Sequence, residues 1–203
     1  MLHLSKFDRL ILELGLTTEE LFQTLNRWIE VFNQELEVYR PSWWTGELTV
    51  SVFDGSVSFG SALYGYGFTL PQIARLFSNA TGTNYERALM NMWGERFYNP
   101  TSRQFQDSNV SPIGKPERFC NRVFLWPICR MHQLLSYKVP LTTPMDDQTK
   151  KLLAACGVPM TDELWMSFPK WQDRLRYVMS SWLPIQDAIV AQLLEHVPAQ
   201  PAE

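Results

Sequence analysis

Histidine and cysteine are both scarce in this chain, with three of each. His3, His132 and His196 lie far apart and form no HxxxH, while Cys120, Cys129 and Cys156 form no CxxC. The spacing used by structural zinc sites is therefore missing, and three cysteines cannot all pair within one chain. A reducing compartment, cytosolic or nuclear, is the economical expectation. No apolar run approaches the ~20 residues needed to span a bilayer, and Met1 is not followed by a basic then apolar leader, so no membrane association is expected. An excess of positive charge is also lacking. The formal net charge of -3 removes the simplest electrostatic case for a nucleic-acid-binding domain and leaves room only for local RNA contact.

Catalytic constellations are equally sparse. The phosphate-cradling pattern GxxxxGK[ST] is missing: Gly55 to Gly60 has the glycine spacing, but Ser61 stands where lysine is required. A hairpin turn accounts better for those glycines. Asp146-Asp147 and Glu19-Glu20 read as helix-start charges favoured by the helix dipole, not as an acid pair. The histidines read as partly exposed structural residues, and Cys120 has no neighbouring base in sequence to make it a nucleophile.

What is present describes an ordinary folded protein. The 203 residues are 45% hydrophobic and 19% charged, enough for one substantial core or one domain with a smaller lobe. Eight tryptophans and twelve phenylalanines are scattered without a repeat. Most read as core, and such aromatic richness is common in members of larger assemblies.

Local signals divide the chain. Thr17 with Glu20 fits a capping box, and Leu21, Leu25, Trp28, Ile29 and Phe32 recur at helical spacing, predicting one long amphipathic helix. Pro41 and Gly46 break it. "LTVSVF" and "SVSF" flank Asp54-Gly55 and predict a β-hairpin. From Phe68 helices dominate: Thr69 caps one with Pro71 in its first turn, "NYERALMNMW" forms another, and "ERFYNPTSRQF" reads as a small hairpin turned at Asn99-Pro100. "ERFCNRVFLWPICRMHQLL" predicts a helix kinked at Pro127. "SYKVPLTTPM" is a connection, Gly157 stops the next helix, Pro184 starts the last one, and "PAQPAE" reads as a linker.

The remaining chemistry is recognition. In "LSKFDRL", an asparagine at position 5 would complete the NKxD loop by which GTPases read guanine. The two oxygens of Asp8 can accept both N–H groups of the guanine Watson-Crick edge, while the stem of Lys6 covers the base face. The plainer alternative is an exposed charged turn before a helix. "FGSAL", Phe59 to Leu63, ends a strand in a small-residue turn able to offer backbone N–H to guanine O6; the plainer alternative is that Gly60 and Ser61 close a hairpin.

Here the chain resembles a known family, the elongation factor 2-like GTPases of eukaryotes. The matching pieces, in family order, are "SKFDRLILEL" with "EELFQTL", "GSVSFGSALYGYGFTL", "MWGERFYNPTSRQF", "RFCNRVFLWPI" and "WLPIQDAIVAQLLEHVPAQP". The resemblance implies an α+β fold: the C-terminal half of a P-loop GTPase domain, residues 1–67, a mostly helical inserted subdomain over 68–182, and a returning helix with the start of a linker over 183–203. Lys6, Asp8, Ser61, Ala62 and Leu63 match its guanine-contacting positions, while Ser5 departs from the pattern and is too short to make the contacts of asparagine.

The resemblance further implies GTP with Mg2+ as ligand of a parent GTPase, and a fragment that lacks the phosphate loop, holds no cofactor and hydrolyses nothing. "RLILEL", "GVPMTDELW" and "EHVPAQP" lean to the spliceosomal U5 branch of the family, nuclear and acting in pre-mRNA splicing with U5 proteins as partners. The translational branch, with cytoplasmic ribosomes as partner, and the ribosome-maturation branch are alternatives. A free-standing α+β adaptor whose loops only mimic guanine motifs is the alternative outside the family.

Overall fold

The computed structural model describes residues 1–43, 45–46, 48–102, 104–136 and 140–197. The tail "PAQPAE" lies outside them, as does part of "SYKVPLTTPM". The chain is mixed α+β. Its elements are β1 (Leu2–Leu4), α1 (Phe7–Leu12), α2 (Thr18–Val38), β2 (Val57–Ser61), β3 (Tyr66–Thr69), α3 (Leu70–Thr81), α4 (Tyr85–Asn91), β4 (Phe97–Asn99), β5 (Gln104–Gln106) and β6 (Glu117–Arg118), followed by a π-helical turn (Asn121–Leu125), α5 (Trp126–Leu135), α6 (Asp147–Ala155), α7 (Asp162–Ser167), α8 (Trp171–Trp182) and α9 (Ile185–His196).

The capping box at Thr17 forms: the Glu20 N–H donates to Thr17 Oγ1 at 3.3 Å and the Thr17 N–H donates to Glu20 Oε2 at 2.8 Å. Two otherwise orphaned donors are satisfied, and α2 runs on for 21 residues. It buries Leu21, Phe22, Leu25 and Ile29. The stripe is centred further toward Phe22 than the spacing predicts, so Trp28 falls at its edge and stays 41% exposed.

The predicted hairpin around Asp54-Gly55 does not form. The Asn33 side chain on α2 captures the backbone of Val50 twice, accepting its N–H at 2.8 Å and donating to its carbonyl at 2.9 Å. Ser56 Oγ accepts the Ser51 N–H at 2.7 Å. With its polar groups satisfied by side chains, this segment needs no strand partner. Asp54 still makes the turn, accepting the Ser56 N–H at 2.7 Å. β2 instead pairs in parallel with β1, Leu2 opposite Val57 and Leu4 opposite Phe59, and turns back antiparallel into β3.

Gly60 is required at this crossing of β2 and β3. A Cβ there would lie 2.5 Å from the Tyr66 carbonyl oxygen and 2.9 Å from Gly67 Cα, both backbone atoms. Strand packing, not a phosphate loop, therefore explains that glycine. The boundary expected after residue 67 falls inside β3, and the chain returns onto that strand near its other end, the Gly67 N–H donating to the Leu183 carbonyl at 2.9 Å and the Ile185 N–H to Gly65 at 3.2 Å. α9 then packs along β2 and β3.

The second sheet has strand order β5-β4-β6 and includes the hairpin at Asn99-Pro100. Pro127 does not simply kink a helix. Proline has no N–H to donate, and its ring crowds the carbonyl one turn back. The preceding turn widens, so that the Trp126 N–H donates to Asn121, five residues earlier, before α5 continues. The core is aromatic where the layers meet. Phe7 of α1 touches Phe68 of β3 at 5.7 Å between ring centroids, and Phe68 touches Phe124 of the π-helical turn, also at 5.7 Å.

Candidate nucleotide-base site at the strand ends

Because β1 and β2 are parallel neighbours, the segments that follow them leave the sheet side by side at its carboxyl edge, where open α/β sheets place ligands. Ser5, Lys6 and Asp8 follow one strand; Ser61, Ala62 and Leu63 follow the other. Residues more than fifty positions apart are thus brought to one rim.

Lys6 sits at φ 60°, ψ 31°, the left-handed conformation, and among the described residues it is the only non-glycine with positive φ. An L-residue held there costs ~1–2 kcal/mol. The strain is sustained from both sides, by β1 pairing before it and by the fully buried Phe7 ring after it. Strain of this kind concentrates at ligand sites. Ser5, next to it, is exposed.

Asp8 occupies the first turn of α1 and is 6% exposed. No described residue donates a hydrogen bond to its carboxylate. Its oxygens are not among the buried side-chain atoms left without a partner, which are Ser78 Oγ and Arg174 Nε among the described residues, so the carboxylate keeps contact with solvent and is free to accept from a ligand.

In the opposite loop Ser61 is buried and its Oγ accepts the Tyr64 N–H at 3.4 Å, while the Ala62 carbonyl accepts the Gly65 N–H at 3.3 Å. Gly65, at φ +67°, closes a turn that a side chain would strain. Ala62 is exposed, Leu63 is 59% exposed, and the Leu63 carbonyl accepts from Arg176 Nε of α8 at 3.0 Å.

Beneath this rim lies a polar pair that the sequence did not single out. His132 is fully buried, not partly exposed as its composition context predicts. His132 Nδ1 lies 2.9 Å from the Ile128 carbonyl, which can only accept, so Nδ1 carries the proton and Nε2 accepts from Tyr66 O–H at 3.2 Å. Burial pulls the imidazole down to about 4, against the opposing pull of the Ile128 hydrogen bond and the Asp8 charge. Burial and then Asp8 push the Tyr66 phenol well above its ordinary range, and do the same more weakly to Tyr64. Asp8 is therefore electrostatically linked to α5 as well as to the sheet.

Arg176, Tyr66 and His132 are the residues that sequence reading missed. The Arg176 contact spans 113 positions and the Tyr66–His132 contact spans 66, and no local pattern announces either.

The polar groups expected elsewhere are consumed structurally. Asp146 caps α6 by accepting the Thr149 N–H at 2.6 Å. Glu19 does more than start a helix. It pairs with Arg118, whose guanidinium is wedged between the Phe22 and Phe97 rings at 4.1 and 4.8 Å and also reaches Glu95. Burial raises the Glu19 carboxyl, but the Arg118 and Asn121 hydrogen bonds outweigh it and hold the group below the usual range. Burial pushes the Cys120 thiol far up and Cys129 and Cys156 each to about 11, so none is a ready thiolate. Among the described residues no helix is long and apolar enough to cross a membrane.

No protein-family model matches this chain. Nothing at the rim supplies the GxxxxGK[ST] pattern that phosphates require.

Proposed function

We propose that this chain forms the base-reading end of a guanine-nucleotide site, as in the elongation factor 2-like GTPases its motifs resemble, carried on a helical lobe that serves as a protein-interaction surface. The observation that carries the reading is the parallel pairing of β1 with β2, which sets the two guanine-like loops on one rim with Lys6 held left-handed and Asp8 left without a donor. Asp8 accepts the N1–H and 2-amino donors of guanine, the Lys6 stem covers the base, and the backbone of Ser61, Ala62 and Leu63 lies on the O6 side. Ser5 keeps the turn while forgoing the longer reach of asparagine.

GTP, with Mg2+, is the ligand of the parent protein, where its γ-phosphate orders switch loops. This chain, without a phosphate loop, hydrolyses none. The finest form of the reading is the U5 snRNP GTPase of pre-mRNA splicing, nuclear and partnered by U5 proteins, supported by "RLILEL", "GVPMTDELW" and "EHVPAQP".

The test is a backbone-amide NMR titration of the full chain. Millimolar GMP is expected to shift Lys6 to Asp8 and Ser61 to Leu63, with AMP leaving them in place. Asp8→Asn turns one acceptor into a donor and reverses the preference toward xanthosine monophosphate, whose C2 carbonyl accepts. Equal response to GMP and AMP refutes the base site. Micromolar GTP binding in calorimetry refutes the importance of the missing phosphate loop.

A further inference from the structure

The two faces of the β5-β4-β6 sheet carry different chemistry. Phe97 packs against Arg118, whereas Tyr98, one residue on, projects from the opposite face and stands across from Phe105 in the antiparallel register. On that face the Tyr98 and Phe105 rings lie 5.4 Å apart, Phe105 meets Phe119 edge-on at 4.8 Å, and Phe119 meets Phe77 of α3 at 5.4 Å. These rings line a cleft of about 590 Å³, within the ~300–1,000 Å³ typical of ligand sites. Phe77, Tyr98 and Phe105 are only partly buried, so ring surface stays available.

Two guanidinium groups complete the cleft. Arg87 of α4 lies 5.6 Å from the Phe105 centroid, and Arg122 of the π-helical turn lies 5.9 Å from that of Tyr98. Both arginines are exposed. Arg122 also touches Glu117 at 3.3 Å, a pair half in solvent and readily exchanged for another anion. No acidic side chain lines this cleft, whereas the cleft across the sheet, about 1280 Å³, is lined by Glu19, Glu95, Asp107 and Glu117. That larger cleft also carries Lys115, Arg118 and Arg122, so its charges are mixed, whereas the aromatic cleft presents basic side chains without acidic ones and is the better match for an anionic ligand.

We infer that this face binds single-stranded nucleic acid, with bases stacking on the Tyr98 and Phe105 surface and phosphates meeting Arg87 and Arg122. The alternation of flat rings with guanidinium groups matches the alternation of bases with phosphates. A duplex hides the flat faces of its bases and cannot use such a platform. An acidic peptide satisfies the arginines but brings no planar groups for the rings. The inference goes beyond the guanine-base site and does not depend on it; the two involve different elements. The net charge of -3 gives no general attraction for nucleic acid, so binding is local, with a salt slope of about -1.4 for two phosphates on a single strand.

Fluorescence anisotropy with labelled 12-mer oligo(U) and oligo(A), on the full chain between 50 and 200 mM KCl (roughly, the range over which such slopes are resolved), tests it. Saturable binding is expected, and the exposed change Arg87→Gln lowers the slope by about 0.7. Tyr98→Leu keeps apolar bulk, removes the ring face and weakens binding about tenfold, with unchanged circular dichroism showing that the fold is retained. No anisotropy change up to millimolar protein overturns the inference. So does binding that both variants leave intact, or an acidic 12-residue peptide that displaces the oligonucleotide and binds more tightly.

Discussion

His132 makes the stability of this protein depend on pH in a window where few other groups titrate. Its imidazole is fully buried, donates from Nδ1 to Ile128, accepts at Nε2 from Tyr66, and has its affinity for a second proton lowered to about 4. In the unfolded chain the same group titrates near 6.5. Between these values the unfolded state binds the proton and the folded state does not. The folded state therefore keeps its full stability above about pH 6.5 and loses it progressively as pH falls toward 4. The difference of protonation free energies, at ~1.4 kcal/mol per pH unit, removes about 2 kcal/mol between pH 7 and pH 5, and about 3 kcal/mol by pH 4. Against the ~5–15 kcal/mol of a typical domain this is a large fraction.

The pH 7 to 5 interval separates the effect from most carboxylate titration. His3 is the other imidazole lowered by burial and acts in the same direction, so it leaves a residual slope. Urea melts at half-unit pH steps measure the curve, and His132→Gln removes the titration. The variant is less stable at every pH, because glutamine does not fill the imidazole site, but its loss of stability from pH 7 to pH 5 shrinks to the His3 remainder. A wild-type curve flat over this interval, or one as steep in His132→Gln, refutes the assignment of a neutral buried imidazole.

Other outcomes follow from single sites. Lys6→Gly relieves the left-handed strain and raises the unfolding free energy from urea melts by up to about 1 kcal/mol, while reducing the GMP-induced amide shifts; a lowered unfolding free energy counts against strain at this position. Asn33→Ala leaves the Val50 N–H and carbonyl without partners and costs about 1–3 kcal/mol in chemical denaturation, whereas an Asn33→Ala chain as stable as wild type shows that solvent replaces both bonds. Gly60→Ala drives a Cβ into the β3 backbone and costs more than about 2 kcal/mol, read as a lower melting temperature. Arg176→Ala removes an exposed contact to Leu63, so stability changes by under ~0.5 kcal/mol while the amides of Ser61 to Leu63 broaden or shift; unchanged spectra place the loop under other control.

Features read correctly in the sequence are those whose causes lie within a few residues. The Thr17 capping box closes over three positions and forms as spelled, and Thr69 caps α3 as expected, with Gln72 completing a box there that was not anticipated. The start of α6 at Asp146 and its stop at Gly157 follow from the residues themselves, since Gly157 takes φ +68° without penalty. The donors and acceptors that the two loops offer were legible as well, because that inventory belongs to residue type, whatever ligand the loops take.

Pairing and environment were settled by distant residues. "LTVSVF" has the alternation of a strand, but Asn33, seventeen positions away on α2, takes its backbone bonds, and β2 finds β1 instead. That parallel pairing across more than fifty residues puts Lys6 and Leu63 on one rim, and no local spacing encodes it. The left-handed Lys6, the donorless Asp8 and the neutral His132 all depend on what packs around them. Burial is a property of the assembled layers, and desolvation, which acts only once those layers close, sets the charge state of the groups inside. The sequence by itself determined the locally capped helices and the chemistry available to the rim, because both rest on residues a few positions apart; tertiary packing decided which strands pair, which of those groups meet, and which are strained or held out of water.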